Sequence, residues 1–452
     1  LHTHQVTLTV AGADITSIDF GFSFNVVTNA LGGDAEDDDP GANRTVQGSL
    51  RQFIQNANAI SGPNVMHFVP VEPSDATDGT NDWWSITATN PLPVIVDADT
   101  TVDGTALDLA DGATVLDANP AGPELELNGA GAGGNGFELN STNSEIRDVV
   151  INRFATGVAI TGGSANTIAG SYIGTAADGV TGAVGNTTQG ILIDQSPNNV
   201  IGGTAGADRN VISGNRQRGI AVDDWSDGAA VTSGGTQIIN NYLGVDRTGF
   251  ATVPYDGVPQ YQQIGIYLLN TSGTIIGTPA TGNVISGNPW YGIYVWGPNG
   301  TGNVIQNNII GLDRAESGSI PNGTESTTRS GVYLSNTIGN LVGGAGAGEG
   351  NTIATNGYFG VVVQGASAAD NAILGNTIYG NGDLGIELNL DGVTANDVGD
   401  ADTGPNDLVN YPEITTAYET GGTVTVEFDL DVPAGNYRVE FFTNPSGADG
   451  SG

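Results

Sequence analysis

Cysteine is absent from the 452 residues, so the chain has no disulfide, no thiol nucleophile and no Cys-ligated zinc. Lysine is absent too. All 11 cations are arginine, set against 49 acidic residues, for a formal charge of −38 at pH 7. That balance repels DNA, RNA and anionic membrane surfaces, which excludes nucleic-acid partners. His2, His4 and His67 are the whole stock of imidazole. No run of 18 apolar residues occurs, so no membrane insertion is expected in this segment. Leu1 is followed by no charged and then apolar leader, and the chain reads as a piece of something longer. Missing cysteine and lysine with surplus acid fit an extracellular, saline setting.

Glycine is what the chain has in excess: 71 residues, about 16% against an ordinary ~7%. It follows no Gly-X-Y period, which excludes collagen. It recurs instead as Gly, aliphatic or Phe, any residue, aliphatic, starting at Gly136, Gly157, Gly190, Gly219, Gly265, Gly292, Gly331, Gly360 and Gly385. All 18 residues at the second and fourth positions are apolar. Between them the third position varies, which is the period-two alternation of a strand with one buried face.

Successive glycines lie 21, 33, 29, 46, 27, 39, 29 and 25 residues apart, and the intervals carry a second element, Asn-x-aliphatic, as in Asn166-Thr-Ile168, Asn210-Val-Ile212 and Asn283-Val-Ile285. Several short strands in ~25 residues make a coil. Stacked coils pair each strand in parallel with its equivalent one turn on, about 4.8 Å away. The pattern therefore predicts an all-β parallel β-helix in which asparagine and glycine turn the corners; its right-handed sense is what the resemblance below implies. The long intervals contain Ile173-Gly174-Thr175, Leu243-Gly244-Val245-Asp246 or Ile310-Gly311-Leu312-Asp313, each followed by a polar insertion. This two-coil super-repeat places loops on one side of the solenoid at alternate coils, where solenoids often carry their contact surface.

Asn210-Val-Ile-Ser-Gly-Asn215, Asn283-Val-Ile-Ser-Gly-Asn288 and Gly48-Ser-Leu-Arg-Gln52 resemble bacterial and archaeal secreted or surface proteins with right-handed parallel β-helix repeats. The resemblance spans about residues 46–415. It implies that Gly48–Ile60 opens the solenoid, and Leu50, Phe53, Ile54 and Ala57 fit a short amphipathic helix capping the open core. Residues 5–10 and 17–24 alternate as strands, as do 423–428 and 437–442, and these look like parts of β-sandwich modules. The expected organisation is residues 1–24, the last strands of one sandwich; 25–120, linker, cap and first coils; 121–412, the β-helix; and 413–452, the first strands of a second sandwich. Half sandwiches leave open strand edges, so the expected role is a secreted or cell-surface structural or adhesive component. Its partners would be itself, joined end to end by strand complementation, or neighbouring surface modules.

Such solenoids also house polysaccharide lyases and glycoside hydrolases, so an enzyme or a glycan-binding spike is the alternative. Asp223-Asp224-Trp225-Ser226-Asp227 is the strongest acidic cluster, with Asp194 one coil away, but neighbouring coils give a spacing of about 5 Å to any equivalent pair. The expectation is a chain that is not an enzyme. Tyr267, Tyr294 and Tyr333 share one outward column, with Trp296 beside them, forming a stripe able to stack on sugar rings or dock a protein. Asp397, Asp400, Asp402, Asn406 and Asp407 gather hard oxygen ligands in a spacing suited to a calcium loop. Asn43, Asn140, Asn186, Asn270, Asn299 and Asn322 head Asn-x-Ser/Thr triplets that permit glycosylation.

Overall fold

The structure is a computed structural model and describes residues 25–28, 48–110, 112–130, 132–182, 184–223, 233–254 and 262–442. The expected terminal strands at 5–10 and 17–24 lie outside these residues.

The protein is a parallel β-helix. Its three long sheets hold 10, 11 and 9 strands, and the chain visits them in a fixed order: one coil runs through Thr167–Ala169, Tyr172–Ile173 and Gln189–Asp194, the next through Val200–Gly202, Val211–Ile212 and Arg218–Asp223. These are called here the first, second and third sheets. The nine glycine-led segments are the nine strands of the third sheet, in sequence order and in register: Val158 pairs with Ile191, Ile191 with Ile220, and Ile220 with Ile266.

Why glycine leads each strand is visible in the close stacking of coils. A Cβ on Gly157 would lie 2.7 Å from the carbonyl oxygen of Gly190, and one on Gly265 would lie 2.6 Å from that of Gly292. Aliphatic side chains following each glycine point inward, and Ile191, Ile193, Ile220, Val222, Ile266, Leu268, Ile293 and Val295 are fully buried in one continuous core. Each such side chain contributes about 1.5–3 kcal/mol of hydrophobic stabilisation before the entropy of ordering is subtracted.

The corners are held by buried amide ladders. Asn210 donates its side-chain N–H to Asn241 Oδ1 at 2.9 Å, Asn241 to Asn283 at 3.0 Å, Asn283 to Asn308 at 2.8 Å, Asn308 to Asn351 at 2.9 Å and Asn351 to Asn376 at 2.9 Å. A second ladder runs through Asn186, Asn215, Gln262, Asn288, Asn322, Asn356 and Asn381, and a third through Asn303, Asn340, Asn371 and Asn406. Burial without partners would cost each amide roughly 1–3 kcal/mol, so the ladder is the condition for placing asparagine inside.

At the leading end the helix Leu50–Ala59 does cap the core. Ser49 Oγ accepts from Gln52 N at 3.1 Å, and Leu50, Phe53, Ile54 and Ala57 are buried against Val27, Met66 and Phe68. Arg51 is buried with them and donates to the carbonyls of Asn90 and Pro91, both at 3.0 Å. At the other end Glu413–Thr420 and Thr423–Asp429 form an antiparallel hairpin. Residues 437–442, expected as a strand, are not one: the strand edge they would extend has no further partner among the described residues, and Phe441 and Phe442 stay exposed.

Candidate functional site

The outer face of the second sheet is the floor of a groove. Its outward column includes Tyr172, Val211, Tyr242, Val284 and Ile309, in register from coil to coil. One wall is built by the turns entering each strand, with Glu124, Asp148, Arg209 and Asn240. The other is built by the long insertions leaving alternate strands, with Arg247, Arg314 and Glu316. Two cavities of about 430 and 360 Å³ lie along this trough and share Arg209.

The super-repeat constructs the second wall. Asp246 Oδ1 accepts from Thr248 N at 3.1 Å and Phe250 N at 3.2 Å, and Asp313 Oδ1 accepts from Ala315 N at 2.8 Å and Ser317 N at 3.1 Å, so each insertion closes on its own aspartate. Stacking follows one rule: Arg247 N donates to Gly179 O at 2.9 Å, and Arg314 N to Gly249 O at 3.0 Å. Gly179 and Gly249 both have left-handed backbone, with φ of 65° and 72°. A Cβ on Gly179 would come 2.7 Å from the Tyr172 ring and 2.8 Å from Arg247 Cβ. A Cβ on Gly249 would come 3.1 Å from Tyr242 and 3.0 Å from Arg314 Cβ. Each tyrosine, glycine and following arginine thus form one packed unit.

The trough gathers three guanidiniums in a molecule of charge −38. Arg209 lies 4.5 Å over the Tyr242 ring and donates to Asn240 Oδ1 at 2.9 and 3.1 Å. Arg314 lies 4.9 Å over Phe250, and Arg247 Nε donates to Asp178 O at 2.9 Å. None of the three forms a salt bridge among the described residues, whereas Arg147, Arg153, Arg218 and Arg438 all do. Arg247 and Arg314 are solvent-exposed.

Toward the capped end the groove turns acidic. Val149 pairs with Leu125, so Asp148 and Glu124, the residues before them, sit one coil apart, about 5 Å at the backbone. Burial pushes the Glu124 carboxyl up to about 7, with the charges of Asp117, Asp148 and Asp103 adding to it. Asp148 is also raised by burial, against the pull of Arg147, whose Nε donates to it at 2.9 Å. Tyr172, pushed up to about 12 by burial, donates to Ala121 O at 2.6 Å. A carboxyl that ionises near neutrality beside a second carboxyl, in an open trough, is equipped for proton transfer.

The residues expected from sequence lie elsewhere. Tyr267, Tyr294 and Tyr333 do meet on the third sheet: Tyr294 is edge-on to Tyr267 at 5.5 Å and to Tyr333 at 5.2 Å, with Tyr291 packed between. Tyr267 and Tyr333 are each 6% exposed and Trp296 is 38% exposed. Arg218 lies 4.3 Å over Tyr267 and 3.7 Å from Asp223, which pairs in register with Asp194. Asp397, Asp400 and Asp402 gather their carboxylate oxygens within 4.8 Å of one another, a set able to hold a hard cation. Asn406 instead ends an amide ladder against Asn371. Asp407 is outside the triad. Asn186 and Asn322 are fully buried in a ladder, which withdraws them from glycosylation.

The groove escaped the sequence reading by one residue. The repeated motif was followed to Asp246 and Asp313, and the arginines that line the trough stand next, at 247 and 314. Tyr172 and Tyr242, each just before the same motif, complete a signal that was present but not extended.

No protein-family model matches the chain, and no curated protein matches it. Solved structures similar to it include an alginate lyase from Paenibacillus sp. str. FPU-7, at 15% identity over 74% of this chain and 96% of that one, with a TM-score of 0.42. A periplasmic alginate epimerase is similar at 12% identity over 75% and 82%, TM-score 0.37. PfbA, a surface adhesin of Streptococcus pneumoniae, is similar at 12% over 82% and 83%, TM-score 0.26. At these identities the likeness is one of fold, and no residue's role is carried across. One expectation is corrected by this finding. The chain was expected not to be an enzyme because Asp194 and Asp223 have only the spacing that any two equivalent coil residues share, and the lyase and epimerase that resemble it are enzymes.

Proposed function

We propose that the chain is a carbohydrate-active β-helix protein of the cell exterior that takes an extended anionic polysaccharide along the groove of the second sheet. The observation that carries this reading is the concentration of three arginines without a salt bridge among the described residues, together with a raised carboxyl, in one trough of a strongly acidic molecule. Guanidiniums bind carboxylate or sulfate bidentately. The long, coil-by-coil trough suits a polymer better than a compact ligand. Glu124 is the proton donor in this reading, marked by its raised carboxyl rather than by its spacing, and Asp148 is the carboxylate beside it. The alginate-directed activities named for the lyase and the epimerase agree with the substrate class without supplying its identity.

The test is turnover of a panel of acidic polysaccharides, scored by newly formed reducing ends and by unsaturated products. Glu124→Gln is expected to lower turnover by 10²-fold or more while leaving polymer retention in affinity electrophoresis within about twofold. Because the active form of Glu124 is the protonated one, activity should fall as pH rises through about 7. Full turnover in the E124Q variant, or none of the polymers retained, overturns the reading.

End-to-end assembly remains a second reading, supported by the hairpin at 413–429, whose Ile414 and Val424 are 61% and 68% exposed. Removing residues 413–442 should abolish end-to-end particles in electron micrographs if the hairpin is the joint.

A further inference from the structure

The second wall of the groove carries its cations with a period. Arg247 and Arg314 occupy the same place in two successive insertions, each one residue after the aspartate that closes its loop and each bonded through its N–H to the glycine-bearing turn one super-repeat earlier. The insertions leave strands Tyr242–Leu243 and Ile309–Ile310, which are separated by one strand, Val284–Ile285. The two guanidinium-bearing positions are therefore two coils apart, about 10 Å along the groove. Each coil advances by a distance close to one pyranose ring of an extended polysaccharide, so the wall offers two cations spaced two sugars apart.

What lies between them is uncharged. The intervening coil leaves its second-sheet strand through Ser286, Gly287, Asn288 and Pro289 with no insertion. The facing wall along the same coils shows Asn240, Gly282 and Asn307, with Arg209 only at its start. Glu316 also lines this part of the trough, held by Thr352 Oγ1 at 3.0 Å. In the first insertion Ala177 stands where Arg247 and Arg314 stand in the others, so the charged period begins past the acidic end.

From this spacing we infer that the groove selects a polysaccharide whose anionic groups occur on alternate sugars, a disaccharide repeat of one acidic and one neutral unit, over a homopolymer acidic at every sugar. The inference rests on the groove being a glycan site. In such a copolymer every anion can meet Arg247, Arg314 or solvent. In the homopolymer the surplus carboxylates face Asn240, Asn307 and Glu316 within a molecule that already repels them, an arrangement that discriminates by repulsion as well as attraction.

The experiment compares retention of the full chain by three size-matched polymers at equal ionic strength: unsulfated chondroitin, in which uronate alternates with an N-acetylated hexosamine; polygalacturonate, acidic at every residue; and a neutral glucan. The expected result is binding of chondroitin at least tenfold tighter than of polygalacturonate and no retention by the glucan. Replacing both exposed arginines, R247Q with R314Q, should abolish that preference, and thermal melting of the double variant within a degree or two of the parent shows that it still folds. Equal or tighter binding of polygalacturonate overturns the inference while leaving the groove a glycan site. Retention of neither acidic polymer overturns the groove reading and this inference together. An undiminished preference in the double variant overturns the assignment to Arg247 and Arg314.

Discussion

Glu124 illustrates how one side chain can be costly to the fold and useful to the site. Its carboxyl ionises near 7 in the folded chain against an ordinary value of 4.5, chiefly because burial disfavours the charged form. The folded state therefore binds more protons than the unfolded one between those values, and stability falls as pH rises from about 4.5 toward 7. Glu124→Gln removes the ionisable group, so the variant should melt higher than the parent at pH 8 and nearly with it at pH 4, read by circular dichroism. A second residue-scale test concerns the ladders. Asn283 donates to Asn308 Oδ1 and Ile238 O at 2.8 Å each and accepts from Asn241. Asn283→Leu strands the Asn241 donors of the preceding coil and the acceptors Ile238 O and Asn308 Oδ1, and should cost about 3 kcal/mol or more, measured by urea denaturation. The carboxyl pair was not legible in the sequence, where Glu124 and Asp148 are 24 residues apart and nothing marks either as buried. The ladder residues, in contrast, announced themselves by recurring in front of aliphatic pairs.

Elements read more easily than residues because the same sentence is repeated nine times. A strand of the third sheet must carry near its start a residue lacking Cβ, as at Gly190 and Gly292, since the next coil's carbonyl lies close to where that atom would be, and must then alternate inward aliphatic residues. Gly292 and Ile293 show both demands, and Ile293 is fully buried. Ile293→Asp places an unpaired charge in the continuous core and should prevent folding or lower the melting midpoint severely. Gly292→Ala, which sets a methyl 2.6 Å from Gly331 O, should be destabilising without abolishing the fold. Insertions were legible only as interruptions. Their lengths differ, and the contacts that give them meaning, Arg247 with Gly179 and Arg314 with Gly249, join residues of different coils. The tyrosine stripe of the third sheet was legible as a column, since register follows from the repeat, but its burial was not. Tyr267 and Tyr333 pack into an outer cluster with Tyr291, Val362 and Phe359, so the outward face of a strand is here not the same as a solvated one.

At the scale of the whole molecule, 49 acids against 11 arginines make self-repulsion a continuous load on the fold. Screening shortens from about 30 Å in 0.01 M salt to about 3 Å in 1 M, so the melting midpoint should climb with sodium chloride across that range. Polymer binding in the groove should weaken over the same range, because there the salt screens an attraction. A melting midpoint that falls with salt would show that attractive surface pairs outweigh the repulsion. The three buried ladders add an asymmetry along the axis. Every rung donates toward the trailing end: Asn166 to Asn199, Asn186 to Asn215, Asn303 to Asn340, Asn371 to Asn406. Amides bonded in sequence polarise one another, so each ladder has a direction, with its accepting end toward the cap and its donating end toward the exit. The chain that follows those donating ends carries its aspartates, 397, 400 and 402, so the polarity of the ladders and the order of the sequence put the acidic cluster after the last donors rather than before the first acceptors.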